Sequence, residues 1–271
     1  MNSFYWKPLM TPKEQIKQIR QILDALIKAE KINNDAAEII YDTELARLRE
    51  ISKENIFDAV KKAIGNNPKR KNISVYVFSE LYDEAGIDNI FEELLISSDV
   101  ADRTIIVQTI GLRKLRKFVP VLNSILEKET DDSSKHALIY TLGELADESS
   151  FPIFLKLSQD TNQNYQWRLT WAFKNFARKE AKEFLEKVYK DKESEESDKV
   201  VAAWGLVKIG EKSYLDYLFK MLYDPDTQTS TSYSPGQSMR AAQAICDIKG
   251  WEFKWNKDYV NNVKQRLKNT I

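Results

Sequence analysis

Six segments of the chain repeat one arrangement of apolar and polar positions: SVYVFSEL, IVQTIGLR, IYTLGELA, TWAFKNFA, AWGLVKIG and AQAICDIK. Superposed, they place Phe78, Ile110, Leu142, Phe173, Leu206 and Ile245 in one column, at intervals of 32, 32, 31, 33 and 39 residues. Four positions earlier stand Ser74, Ile106, Leu138, Leu169, Ala202 and Ala241; three positions later stand Leu81, Arg113, Leu145, Phe176, Ile209 and Ile248. An i−4, i, i+3 stripe is the core-facing side of an amphipathic helix, and only Arg113 breaks it.

Between these helices runs a second set with the same spacing. Pro120 and Pro152 are 32 residues apart, and each suits the first turn of a helix, where a missing N–H costs nothing. Apolar clusters follow at Val121, Leu122 and Ile125; Ile153, Phe154 and Leu157; Phe184, Leu185 and Val188; and Tyr217, Leu218 and Met221. Each period is therefore a helix pair, A then B. A lone pair cannot bury both its apolar faces, so the pattern predicts stacked pairs around one continuous core.

The early proline of helix A, the stretches ALIYTLGELAD and RAAQAIC in helix B, and the period near 32 together resemble HEAT-like repeats of the short bacterial type, which also occur in phycobilisome lyases. The resemblance spans roughly residues 56–250. It implies an all-α fold, a right-handed α-solenoid of about six helix pairs whose B helices line a concave face. It also implies a binding scaffold more than an enzyme, such as a bacterial immunity or assembly factor. The flanks depart from the pattern: 1–55 contains two amphipathic helices, at 12–30 and 34–52, with Ile16, Ile19, Leu23 and Leu26 on one side of the first. These are expected to cap the array, and 251–271 to cap its other end after Gly250, the whole forming one continuous structural unit. The longest interval holds DPDTQTSTSYSPGQ, residues 224–237, whose composition suggests a mobile loop.

Helical geometry then sorts the aromatics of QWRLTWAFKNFA, residues 166–177. Phe173 and Phe176 belong to the core stripe. Trp171, two positions before Phe173, points roughly 160° away from it at about 100° per residue. Its column reads Tyr76, Gln108, Tyr140, Trp171, Trp204 and Gln243. Four places on are Glu80, Leu112, Glu144, Asn175, Lys208 and Asp247; three places before are Ile73, Ile105, Ala137, Arg168, Val201 and Arg240. An aromatic strip flanked by charge is what a groove for a protein or peptide would use. Tyr76, Tyr140, Trp171, Trp204, Glu144, Arg168 and Lys208 are therefore the candidate partner-binding residues. The competing reading is that tight curvature buries such rings between neighbouring B helices. Trp167, about 120° from the core, is left open by this geometry.

Composition narrows the function classes. Lys plus Arg and Asp plus Glu number 41 each, so the basic excess of a dedicated nucleic-acid binder is absent. The clusters Lys69–Lys71 and Arg113–Lys117 fall at opposite ends of B helices and read as solvated turn charges, not one phosphate-tracking stripe. No apolar run approaches the roughly 18 residues that span a bilayer, and the start lacks a signal-type apolar core, so a cytoplasmic location without membrane contact is expected. One cysteine, Cys246, and one histidine, His136, leave little for a metal or a nucleophilic relay, and no cofactor or metal is expected. Cys246 reads as a packed thiol and His136 as an exposed or capping side chain. In DKESEESD, residues 191–198, Ser197 or Asp198 suits a helix cap. Two enzymatic alternatives come only from the resemblance: an alkylated-DNA glycosylase, in which Tyr140, Glu144, Trp171, Trp204 and Arg168 would form the cleft, and a phycobilin lyase with no nameable bilin residue.

Overall fold

The computed structural model describes residues 10–32, 35–51, 56–81, 87–96, 100–159, 165–224, 236–254 and 258–269. Among the described residues every regular element is helical and none is a strand. The chain divides into two compact units, Met1–Lys114 and Leu115–Ile271, a boundary inside the 56–250 span and not at its ends. Most of the 224–237 insertion, the first nine residues and Trp255 of the WEFKW segment lie outside the described residues.

The first unit contains α1 (Pro12–Ala29), α2 (Asp35–Arg49), α3 (Ile56–Ile64), α4 (Pro68–Glu80), α5 (Ile87–Leu95) and α6 (Val100–Leu112). Helix α1 starts on a capping box: Thr11 accepts from the Glu14 N–H while the Glu14 carboxylate accepts from the Thr11 N–H, which satisfies two otherwise orphaned donors. Its apolar side buries Ile19, Ile22, Leu23 and Leu26, whereas Ile16 is half-buried. Helices α2, α3 and α4 pack against α1, and α6 packs against α4 and α5. Arg70 forks onto Asp24 through two hydrogen bonds of 2.8 Å, tying α4 to α1. That contact holds the Asp24 carboxyl below its ordinary range. The arginine of the Lys69–Lys71 cluster is thereby committed to an internal ion pair.

The second unit repeats one connection four times. A 3-10 turn at Arg116–Phe118, Glu148–Ser150, Lys179–Ala181 and Lys212–Tyr214 leads into an A helix: α7 (Val119–Leu126), α9 (Phe151–Ser158), α11 (Lys182–Lys190) and α13 (Leu215–Tyr223). The B helices are α8 (Asp132–Leu145), α10 (Gln166–Phe176), α12 (Glu196–Lys208) and α14 (Gln237–Lys249), and α15 (Tyr259–Lys268) packs on α13 and α14. Each B helix packs on the next, α8 on α10, α10 on α12, α12 on α14, while α7, α11 and α13 cover α8, α12 and α14. Pro120 and Pro152 sit in the first turns of α7 and α9.

The core stripe matches the sequence pattern. Phe78, Ile110, Leu142, Phe173, Leu206 and Ile245 are at most 2% exposed, and the whole column four residues earlier is at 0%. Arg113 breaks the pattern without cost because α6 ends at Leu112 and the side chain is exposed. Phe173 packs edge-on against Phe151 and Phe184, and Phe176 against Phe151 and Phe154, so α10 meets the A helices on both sides through aromatic contacts. One cap differs from expectation. Glu195 occupies the N-cap of α12 without a side-chain cap, which places Ser197 and Asp198 inside the first turn. Asp198 is half-buried there, and burial, then the nearby Glu195 charge, pushes its carboxyl upward.

Helices α6, α8, α10, α12 and α14 share a left-handed exit. Lys114, Ala146, Ala177, Gly210 and Gly250 all have positive φ. Glycine accepts this conformation freely, whereas a residue with Cβ is strained there by about 1–2 kcal/mol. Ala177→Gly is therefore expected to raise the unfolding free energy by up to about 1 kcal/mol, after the glycine's larger unfolded-state entropy is subtracted. Urea denaturation midpoints of the two proteins check this, and an unchanged or lowered midpoint contradicts it.

Candidate functional site

The face opposite the A helices carries the candidate residues, and close packing of the B helices determines what they can reach. A Cβ added at Gly143 of α8 would lie 2.7 Å from the Ala172 Cβ of α10, and one at Gly205 of α12 would lie 2.9 Å from Leu185 and 3.3 Å from the Lys174 Cα. With hydrogen at these positions, the helices approach closely enough for short polar side chains to bridge them. Asn175 Nδ2 donates to the Gly143 carbonyl at 3.0 Å and to Glu144 Oε1 at 3.2 Å. The Trp171 indole N–H donates to the same Glu144 Oε1 at 2.6 Å. One period later, the Trp204 indole N–H donates to Asp247 Oδ2 at 2.8 Å, and Lys208 Nζ lies 3.1 Å from that oxygen.

These residues line a cavity of about 300 Å³ bounded by Glu144, Trp171, Lys174, Asn175, Trp204, Lys208, Gln243, Asp247, Trp251 and Phe253. Its charged wall is the column predicted four residues after the aromatic ladder, drawn from four successive B helices. The two indoles meet edge to face, with ring centroids 5.9 Å apart. Trp204 is only 3% exposed and Trp171 is half-buried. The expected outward display of both rings thus holds for neither in full. The small residues Ala202, Ala203, Ala241, Ala242 and Ala244, all at 0%, let α12 and α14 close over the Trp204 ring, which is the burial between neighbouring B helices weighed as the competing reading.

The central group was not singled out by the pattern. Lys174 is 4% exposed, and its Nζ sits 3.7 Å from the Trp171 ring centroid and 4.0 Å from that of Trp204. Indole faces attract a cation through the ring quadrupole. Burial nevertheless lowers the Lys174 pKa to about 7, with Lys208 and Arg240 acting in the same direction and Glu144 and Asp247 opposing them. A signal existed in the sequence: the equivalent positions read Ser79, Gly111, Gly143, Val207 and Cys246, a small or apolar column interrupted by one lysine.

A second cluster lies on α8 and α10. The Arg168 guanidinium lies 3.7 Å from the Trp167 ring centroid and 4.8 Å from that of Tyr140. Burial lowers its pKa to about 10, so it remains charged at neutral pH. Its Nε is buried without a hydrogen-bond partner. His136 is half-buried beside Tyr165 and Trp167, with centroid separations of 6.3 and 6.5 Å, and Asp131, not His136, caps α8. Burial and then the Arg168 charge lower the His136 pKa, which favours the neutral ring. Tyr140 and Trp167 are 36% and 41% exposed. In the first unit Tyr76, 42% exposed, packs edge-on with Tyr41, and Glu80 pairs with Arg49. Cys246 is fully buried, and burial raises its thiol pKa.

No group of three or more metal-ligating side chains occurs among the described residues, and no described helix is long and apolar enough to cross a membrane. No protein-family model and no curated protein matches the chain.

The buried lysine makes stability depend on pH. Its folded pKa, about 7, is depressed from the ordinary 10.5. Between those values the unfolded chain binds a proton that the folded chain does not, so stability rises with pH through that window and the effect is flat below it. The slope from this one group is at most about 1.4 kcal/mol per pH unit. In urea titrations from pH 7 to pH 9, wild type is expected to gain stability relative to Lys174→Met, which lacks the titrating amine. Parallel curves would contradict this.

Proposed function

We propose that this chain is a HEAT-like α-solenoid that binds an acidic segment of a partner protein along its B-helix face, with Arg168 as the anchor. The observation that carries this reading is the Arg168 cluster. The guanidinium lies over the Trp167 ring and near Tyr140 with its Nε unpartnered, and a carboxylate is the group that guanidinium binds in fork geometry. No carboxylate forms a salt bridge with it among the described residues, whereas Arg49, Arg70 and Arg178 all have one. Half-exposed Tyr140 and Trp167 supply amphipathic ring surface beside the charge, the residue types that anchor protein interfaces.

The solenoid itself is supported by the repeat of 3-10 turn, A helix and B helix, and by consecutive B-helix packing in the second unit. Within the binding face the candidate roles divide. Tyr140 and Arg168, joined by Trp167, contact the partner. Glu144, Trp171, Trp204 and Lys208 are engaged with one another and with Asn175 and Asp247, and they hold the wall beside the contact. Tyr76 belongs to the first unit and offers a similar half-exposed ring. The base-excision alternative gains no support, because Lys174 lies between the indole faces on which a cationic base would stack.

Fluorescence anisotropy against labelled peptides of equal length, rich in Glu and Asp, uncharged, or rich in Lys, tests the reading. The acidic peptides should bind preferentially. Arg168→Ala, with its melting temperature measured alongside, should weaken them about tenfold or more, as expected for a lost charge-assisted pair. Equal binding of all three peptide classes, or full acidic-peptide affinity in a folded Arg168→Ala protein, would overturn it.

A further inference from the structure

Lys174 plays no part in that contact, and its surroundings suit a different chemistry. Most paired lysines of the second unit rest on carboxylates: Lys182 Nζ lies 2.6 Å from Glu211, Lys190 2.7 Å from Glu186 and Lys199 2.7 Å from Glu196. Lys174 instead faces two indole rings, forms no salt bridge or hydrogen bond among the described residues, and lines the 300 Å³ cavity. Ring faces attract the ammonium but cannot receive its proton, and they leave the nitrogen lone pair free once the proton is gone. The remaining cavity walls include Trp251 and Phe253, with Asn175, Glu144, Lys208, Gln243 and Asp247 as the polar groups.

We propose that Lys174 is a nucleophilic amine that captures a small aromatic aldehyde in this cavity as an imine. The neutral Nζ attacks the carbonyl carbon with its lone pair, the C–N bond forms, and the carbonyl electron pair moves to oxygen, which takes up a proton. The resulting carbinolamine loses that oxygen as water while nitrogen gives up its second proton. Amine and aldehyde thus become imine and water, with no change in oxidation state. Glu144 and Asp247 are the acid–base groups on the cavity wall able to carry the protons. The aromatic walls select the aldehyde's ring, and the cavity volume limits it to roughly one ring with small substituents.

The state of the amine is set by groups from every neighbouring B helix. Glu144 on α8 and Asp247 on α14 favour the ammonium, while Lys208 on α12 and Arg240 on α14 disfavour it. Burial outweighs them and brings the neutral form within reach of neutral pH.

Treatment of the folded full chain with benzaldehyde and cyanoborohydride, followed by peptide mapping, tests the proposal. Reduction converts the imine into a stable benzyl-lysine. At pH 7, Lys174 should be benzylated at least about ten times faster than the exposed lysines, because an ordinary amine of pKa near 10.4 is almost wholly protonated there. The rate at Lys174 should rise with a midpoint near pH 7, and the fast phase should vanish in Lys174→Met. Exposed lysines reacting while Lys174 stays unmodified, or a Lys174 rate that rises only with theirs near pH 10, would overturn it. Acidic-peptide affinity of the Lys174→Met protein reads the Arg168 contact separately, so loss of one property leaves the other measurable.

Discussion

The second unit depends on how closely its B helices approach. Helix α8 carries hydrogen at Gly143, where any side chain would intrude on Ala172. Only at that separation can the short Asn175 amide span to the α8 backbone and the Trp171 N–H reach Glu144. Gly205 gives α12 the same close approach to Lys174 of α10 and Leu185 of α11, and the buried alanines of α12 and α14 accompany the Trp204 contact with Asp247. A solvent-facing flank on an isolated helix therefore becomes an inter-helix seam in the unit, and rings that would have been exposed are clamped along it.

The polar groups in that seam depend on one another. Glu144 orients Trp171, Asp247 orients Trp204, and the two rings hold the Lys174 ammonium that neither carboxylate touches directly within salt-bridge distance. Placing a cation in so dry a position is costly, and ring faces return only part of that cost. The lysine answers by losing its proton more readily, as buried amines do. Arg168 meets a milder version of the same constraint. Its guanidinium resists deprotonation, so stacking over Trp167 and Tyr140 keeps a permanent charge at the half-exposed end of the face.

The core was readable from periodicity because burial against the A helices is a one-dimensional property: residues four back and at the centre of each segment are buried in all six periods. The caps of α1 and α14, and the prolines of α7 and α9, also follow local rules that need no tertiary knowledge. Contacts between neighbouring B helices were less accessible. The angle that sends Trp204 away from the A helices says nothing about whether the next B helix covers it, and that depends on side-chain size one period along. The burial of Lys174 depends on the same inter-helix packing, which its column of small or apolar residues does not reveal by angle alone. Ser197 shows a different failure. Cap signals compete over two or three residues, and α12 begins at Glu196 without using the hydroxyl.

The four 3-10 turns carry one more consequence. From the central core residue of each B helix to the first residue of the following turn the chain advances six positions every time: Ile110 to Arg116, Leu142 to Glu148, Phe173 to Lys179, Leu206 to Lys212. The return step from A to B is not fixed in this way. From Leu126 to Asp132 it spans six positions, and from Tyr223 to Gln237 it spans 14. One joint of each pair is thus rigid in length and the other elastic. Length varies in this unit at one kind of corner, and the start of every A helix is set by the B helix before it.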